Sequence, residues 1–186
     1  MENSNRKKEI AVFGGGCFWC TEAIFQELRG VSVVTSGYAG GAISEPSYEA
    51  VSSGKTGHAE VIKIEFDSAV IPYETLLEVF FASHDPTTMN RQGADVGEQY
   101  RSIVLYTSDK QKTQAEAYIT KLKMSGEFTA PIVTQVGPLE KFFPAEEYHQ
   151  DYFANNSDQP YCQIIINPKL EKIRHQFSKL LTTSQN

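Results

Sequence analysis

Glu9-Ile10-Ala11-Val12-Phe13-Gly14-Gly15-Gly16-Cys17-Phe18-Trp19-Cys20 is the stretch on which the fold turns. Its first five residues read as a short apolar strand, the glycines as a sharp turn, and the remainder as the start of a helix. That helix carries Ala23, Ile24, Phe25 and Leu28 along one side, with Gly30 as its stop signal. Outward from it, residues 31–35 are β-branched and form a second strand, and residues 38–58 are loop with one helical turn at 48–51. Residues 59–66 make a third strand with Glu60, Ile62, Ile64 and Phe66 on one face and Ala59, Val61, Lys63 and Glu65 on the other. Pro72 opens a second helix bearing Leu76, Leu77, Val79, Phe80 and Phe81, and residues 101–106 are a fourth strand. Strand, helix, strand, strand, helix, strand is the split βαβ order. It predicts an α+β domain with helices packed on a mainly antiparallel sheet.

The rest of the chain extends this core. A polar amphipathic helix is expected over residues 109–124, capped by Ser108 or Asp109, followed by a fifth strand at 132–136. The extended C-terminal segment offers an apolar strand at 163–166 and a final helix at 168–181, while residues 1–8 form a flexible lead. At 186 residues without internal repeat or long linker, one domain spanning residues 1–186 is expected.

Composition excludes several classes of function. Forty per cent apolar and 11% aromatic residues supply a core, against disorder. Twenty-three acidic against 17 basic residues, net −6, remove the footprint of a nucleic-acid or anionic-membrane binder. No apolar run reaches the roughly 18 residues of a membrane span, and none follows the basic N-terminus as a secretory signal requires. Three cysteines are too few, and odd in number, for a disulfide scaffold. A cytoplasmic protein with catalytic, redox or metal-binding cysteines is expected.

The glycine-to-cysteine segment carries that chemistry. Glycines let a backbone turn and a substrate come close. Cys17 falls at a helix start, where free N–H groups and the macrodipole favour a thiolate, so a lowered thiol pKa is expected. Cys20 lies on the same face one turn on, and Phe18 and Trp19 suit either the core or an apolar pocket for a small alkyl group. Three readings fit: a thioredoxin-like disulfide oxidoreductase with Pro160 before a strand; a zinc site or zinc-stabilised module from Cys17, Cys20, Cys162 and a histidine; and a thiol enzyme with an acid elsewhere. Glu60 favours the third, because a carboxyl on a buried apolar face holds its proton and becomes a general acid. Its other reading is an exposed strand end.

Gly16-Cys17-Phe18-Trp19 resembles the A-type peptide methionine sulfoxide reductases. The likeness continues through Tyr48-Glu49-Ala50-Val51, Ser53-Gly54-Lys55-Thr56-Gly57-His58-Ala59-Glu60-Val61, Asp95-Val96-Gly97-Glu98-Gln99-Tyr100-Arg101-Ser102 and Glu147-Tyr148-His149-Gln150-Asp151-Tyr152. The resemblance implies a ferredoxin-like α+β core and reduction of the S epimer of methionine sulfoxide, free or in proteins, in repair of oxidised proteins. It makes Cys17 the nucleophile, Glu60 the acid, Tyr48 and Tyr100 the holders of the sulfoxide oxygen, and Asp95 a supporting carboxylate. Phe18 and Trp19 become the methyl pocket. A cysteine sulfenic acid would pass to a disulfide that thioredoxin reduces, with no organic cofactor and no metal.

Two features depart from the family. Cys20 stands where its commonest motif has glycine, and only Cys162 follows the last block, without the glycine-rich tail of a known subtype. Cys162 is expected as first resolving thiol and Cys20 as second or relay. His58 and His149 are read as orienting neighbours, His84 as a helix-end partner and His175 as solvated.

Overall fold

β1 (Lys8–Gly14) takes the middle of the sheet because both its faces are apolar. Ala11 and Phe13 point to one side and Val12 to the other, all wholly buried. The computed structural model describes residues 7–182. After β1 come α1 (Phe18–Gln26), β2 (Val31–Ala39), α2 (Tyr48–Ser52), β3 (Ala59–Asp67), α3 (Tyr73–Ser83) and a small hairpin of β4 (Arg91–Gln92) and β5 (Asp95–Val96). A 3-10 turn, Glu98–Tyr100, leads to β6 (Ile103–Tyr106), α4 (Asp109–Ser125), β7 (Gln135–Pro138) and β8 (Phe142–Pro144). The tail holds α5 (Tyr152–Asn155), a π-helical turn at Cys162–Ile166 and α6 (Asn167–Gln176).

The result is a mixed α/β fold on a six-stranded sheet of order β7-β6-β1-β3-β2-β8, antiparallel except for the β6–β7 pair. β1 pairs with β3 (Phe13 opposite Ile62) and with β6 (Val12 opposite Leu105). The main core fills one side, where Phe13 stacks on Phe80 of α3 at 4.8 Å and lies 5.9 Å from Phe25 of α1. A smaller cluster of Val12, Ala39, Ala59, Val61, Ile103 and Leu105 covers the other. Local chemistry sets the helix ends. Ser108 caps α4 by accepting from Gln111 N–H at 3.3 Å, and Gly126 (φ 72°) ends it in the left-handed conformation that a side chain would resist.

The tail grips the far end of α1. Arg174 forks onto the Glu27 carboxylate (Nε to Oε2 2.9 Å), Arg29 N–H donates to Leu180 O at 2.8 Å, and Thr182 N–H donates to Glu27 O at 2.8 Å. Among the described residues no helix is long and apolar enough to cross a membrane.

Several expectations need correcting. Lys8 already belongs to β1, and Lys7 O accepts from Ser68 N–H, so the lead does not run to residue 8; residues 1–6 lie outside the described residues. β2 runs on to Ala39 because β3 pairs with it down to Ala59. The fifth strand sits at Gln135–Pro138 rather than 132–136, and β8, a three-residue edge strand, was not foreseen. The strand expected at 163–166 is the π-helical turn, and the helix expected at 168–181 stops at Gln176 before a 3-10 turn, Ser178–Leu180. Pro160 therefore precedes no strand, and the thioredoxin-like reading loses that support.

Candidate active site

Two close approaches hold the loop between β1 and α1. Gly16 takes φ 89° and donates its N–H to Tyr100 O at 3.1 Å, which ties the loop to the end of the 3-10 turn. A Cβ on Gly15 would stand 2.9 Å from the His84 ring, itself fixed between Phe80 O and Ser102 Oγ at 2.7 Å each. Burial pushes the His84 imidazole down to about 4, so it is a neutral prop at pH 7.

Cys17 is the extended residue (φ −63°, ψ 127°) immediately before α1. It does not cap the helix itself. Glu60 does so from β3, its Oε2 accepting from Phe18 N–H at 3.0 Å. Only 2% of Glu60 is exposed. Burial raises its carboxyl to about 8, against the Phe18 hydrogen bond, and the charges of Asp95 and Cys20 add to the rise. The exposed-strand-end reading of Glu60 is thereby discarded.

Cys20 N–H donates to Cys17 O at 3.1 Å, so the two cysteines sit one turn apart at the start of α1, close enough for each thiol to shift the other. Here one expectation fails. Burial, then the Cys20 contact and the Glu60 charge, push the Cys17 thiol well up rather than down. Desolvation outweighs the helix terminus, whose first N–H is already taken by Glu60. The acidity sits on Cys20, lowered by donation from Cys17 and then by Lys169 and Tyr161, against burial and Asp95. Cys162, wholly buried in the π-helical turn, has its thiol raised by burial and by the Cys20 charge. Cys20 is thus tied to Cys17 through the first turn of α1, while Cys162 comes from the π-helical turn packed against that helix.

The remaining expected residues converge. Tyr48 opens α2, and its N–H donates to Glu146 Oε1 at 2.8 Å while Tyr38 OH donates to Oε2 at 2.9 Å. Burial and the Glu60 charge raise the hydroxyls of both Tyr48 and Tyr100, Asp95 adding to the latter, so both stay O–H donors beside Cys17 and Glu60. Asp95 accepts from Tyr161 OH at 3.1 Å.

Phe18 is buried against Tyr38 (5.7 Å) and His149 (5.1 Å), whereas Trp19 is half-buried and forms the open wall. Trp19 Nε1 donates to His149 Nδ1 at 3.0 Å, and its ring lies flat on Tyr152 (3.6 Å, 5°) with Tyr161 edge-on at 5.7 Å. His149 thus accepts at Nδ1 and, with burial lowering its pKa, carries its single proton at Nε2.

The sequence reading missed several residues. Glu146, Tyr38, Tyr161 and Glu22 all support the wall or the donors. Glu22, 1% exposed and raised by burial to about 7, accepts from Tyr152 N–H at 3.3 Å and fixes the stacking partner of Trp19. Only its place one turn after Trp19 could have signalled this. Among the described residues no three His, Cys, Asp or Glu side chains group as a metal site, so the zinc reading finds no ligand set.

The arrangement sets the Cys17 sulfur beside a buried carboxyl raised to about 8 and two phenol hydroxyls, walled by aromatic rings. The family model for peptide methionine sulfoxide reductase matches residues 9–181. A peptide methionine sulfoxide reductase from Halobacterium salinarum is 55% identical over 169 residues, 91% of this chain and 96% of that protein. The reduced form of Mxr1 from Saccharomyces cerevisiae superposes with TM-score 0.75 at 31% identity, covering 87% of this chain and 92% of that one. Mxr1 in complex with Trx2 shares the fold at TM-score 0.54 and 23% identity, over 82% of this chain and 88% of that one.

Proposed function

The chain belongs to the peptide methionine sulfoxide reductase family, and on that footing we propose that it reduces the S epimer of methionine sulfoxide, free or within proteins, to methionine. The observation that carries the reading is the buried, protonated Glu60 carboxyl held against the backbone next to Cys17. A sulfoxide oxygen leaves only when protonated, and its sulfur is attacked only while the S–O bond is polarised. Glu60 supplies the proton, and Tyr48 and Tyr100 hold the oxygen with their hydroxyls. Trp19 and Phe18 wall the methyl group. Cys17 then attacks the sulfur from the opposite side. As that bond forms the S–O bond breaks, and the oxygen leaves as water with the Glu60 proton and the Cys17 thiol proton. Water then attacks the Cys17 sulfur, the bond between the two sulfurs breaks with its electron pair going to methionine, and the released proton returns to Glu60, leaving Cys17 as a sulfenic acid. Asp95 steadies the Tyr161 hydroxyl beside both thiols.

Cys20 takes the sulfenic acid first and Cys162 follows by exchange, reversing the order that position in the tail suggests. The place of Cys20 one turn on from Cys17, with Cys20 N–H on Cys17 O at 3.1 Å, and the Lys169 ammonium 3.9 Å from its sulfur support this. Opening the first helical turn brings the Cβ atoms to the roughly 3.8 Å that a disulfide needs. Thioredoxin is the reductant we assign, as yeast Mxr1 has been seen with Trx2. The chain acts as a single catalytic domain. Its four middle strands, order β6-β1-β3-β2, form a ferredoxin-like split βαβ core. Three free thiols suit the reducing cytoplasm.

The test is dithiothreitol-driven turnover of separated S and R sulfoxide epimers of a methionine peptide. Turnover of S alone is expected, and turnover of neither refutes the reading. One equivalent of S-sulfoxide followed by peptide mass mapping should reveal a Cys17–Cys20 bond before any bond to Cys162. A direct Cys17–Cys162 bond overturns the order.

A further inference from the structure

Lys169 lies outside every motif discussed above. It is the third residue of α6, half-buried, and its Nζ stands 3.9 Å from Cys20 Sγ on α1. Among the described residues it forms no ion pair with a carboxylate, and the sulfur is its one hydrogen-bond partner. Lys172, one turn further along α6, turns away to Ala82 O at 3.1 Å. A long cation whose single partner is a nearly buried sulfur is an arrangement for holding charge on that sulfur.

We propose that Lys169 is a positioning residue for recycling: its ammonium holds Cys20 as the thiolate that attacks the Cys17 sulfenic acid. This rests on the reading of Cys20 as first resolving thiol. In the step, the Cys20 thiolate gives its electron pair to the Cys17 sulfur, the S–S bond forms as the Cys17 S–O bond breaks, and hydroxide departs. Hydroxide takes up the proton that Cys20 gave away and leaves as water. The sulfenic sulfur is reduced, the Cys20 sulfur is oxidised, and no outside reactant is consumed.

The other groups facing Cys20 explain why a cation is needed there. Cys17 approaches from the start of α1, Tyr161 from the residue before the π-helical turn, Asp95 from β5, Glu60 from β3 and Cys162 from the π-helical turn. Once Cys17 is a sulfenic acid, its thiol no longer donates to Cys20. Asp95 and burial still oppose the thiolate. Of the favourable influences, Lys169 and the Tyr161 hydroxyl then remain, and Lys169 alone carries positive charge. Lys169 also borders an open cleft with His84, Asp85 and Lys172, so water weakens its pull. An effect at the low end of the range for a close opposite charge follows, about tenfold in the thiolate population.

The experiment compares wild type, Lys169→Met and Lys169→Arg. Each reduced enzyme receives one equivalent of an S-sulfoxide peptide. Released methionine is counted, the sulfenic acid is trapped with dimedone at timed intervals, and disulfides are mapped by mass. The expected result is a methionine burst of full amplitude in all three, a sulfenic acid that persists about tenfold longer in Lys169→Met at pH 7, and recovery in Lys169→Arg. The pH midpoint of disulfide formation should rise by about one unit in the Met variant only. The intact burst shows that the variant is folded, and a purely structural role would not move the midpoint or be rescued by Arg. A Met variant that consumes its sulfenic acid as fast as wild type, through the same Cys17–Cys20 bond, overturns the role of Lys169 and leaves the resolving order standing. A bond from Cys17 straight to Cys162 in wild type overturns both.

Discussion

Replacing Glu60 with glutamine should stabilise the protein while nearly silencing it. The native carboxyl gives up its proton near pH 8, whereas the unfolded one does so near the ordinary 4.5. Across that window the unfolded chain binds fewer protons than the native one, so stability falls as pH rises. From the unfolded value of 4.5 up to pH 7, about two and a half units, this costs the native state about 3 kcal/mol, a cost the glutamine variant escapes. The amide oxygen still accepts from Phe18 N–H, so the cap on α1 survives. Chemistry moves the other way. Near pH 7 about nine-tenths of the native carboxyls hold a proton, against about one in 300 for an ordinary carboxyl, and glutamine has no acid proton to give. Loss of a general acid of this kind slows the first step by roughly 10²–10⁴-fold. Urea unfolding of both proteins between pH 5 and 8, with single-turnover methionine release at pH 7, measures the two effects. The stability difference should grow from under about 1 kcal/mol at pH 5 to about 3 kcal/mol at pH 7. A difference that stays flat with pH, or an unchanged release rate, refutes the assignment of Glu60 as the buried acid.

Cys17→Ser should abolish reduction with every reductant, dithiothreitol included, because Cys17 is the sulfur assigned to attack the sulfoxide and a serine hydroxyl is scarcely ionised; appreciable turnover would remove Cys17 from the mechanism. Tyr152→Ala should expose Trp19, the single tryptophan of the chain, and shift its fluorescence to the red. Stability should fall by about 1 kcal/mol and KM for a sulfoxide peptide should rise, and an unshifted emission spectrum would show that the flat stack does not persist in solution. Gly15→Ala drives a Cβ into the His84 ring. It should cost about 1–3 kcal/mol in thermal unfolding and lower kcat by displacing Cys17, and a fully active, equally stable variant would mean the loop is not held against His84.

The sequence discloses the elements whose own residues dictate them. β1, β3 and α3 are legible because alternation, a proline start and continuous apolar faces coincide there, and Glu60 is legible because it is the one carboxylate on the apolar face of β3. Gln163-Ile164-Ile165-Ile166 is not. A short apolar run suits a strand or a buried helical turn equally, and here packing against α1 chooses the π-helical turn. β8 escapes notice because three residues ending in Pro144 carry no pattern, their place set by β2 alongside. The direction of the Cys17 pKa is illegible in the sequence for a related reason. A helix terminus is local and readable, whereas burial and a carboxyl arriving from residue 60 are tertiary. Glu22, Glu146 and Tyr161 act across separations of about 100 residues or more from what they touch, or from a loop that only the fold brings near, and no spacing announces them.

The clasp of the tail on α1 bears on how the protein is made. Thr182 meets Glu27 across 155 residues of sequence, so α1, which follows directly on Cys17 and carries Cys20, is among the first pieces synthesised and among the last to be fully enclosed. Contacts this distant along the chain slow folding. On the ribosome α1 waits, its apolar side uncovered, until α6 and the residues after it have emerged, and the nascent chain is a client for holding chaperones during that interval. A premature stop immediately before residue 174 would leave every residue of the sulfoxide site in place and still deny α1 its final cover. Truncation would therefore be felt first as poor yield and only afterwards as lost chemistry.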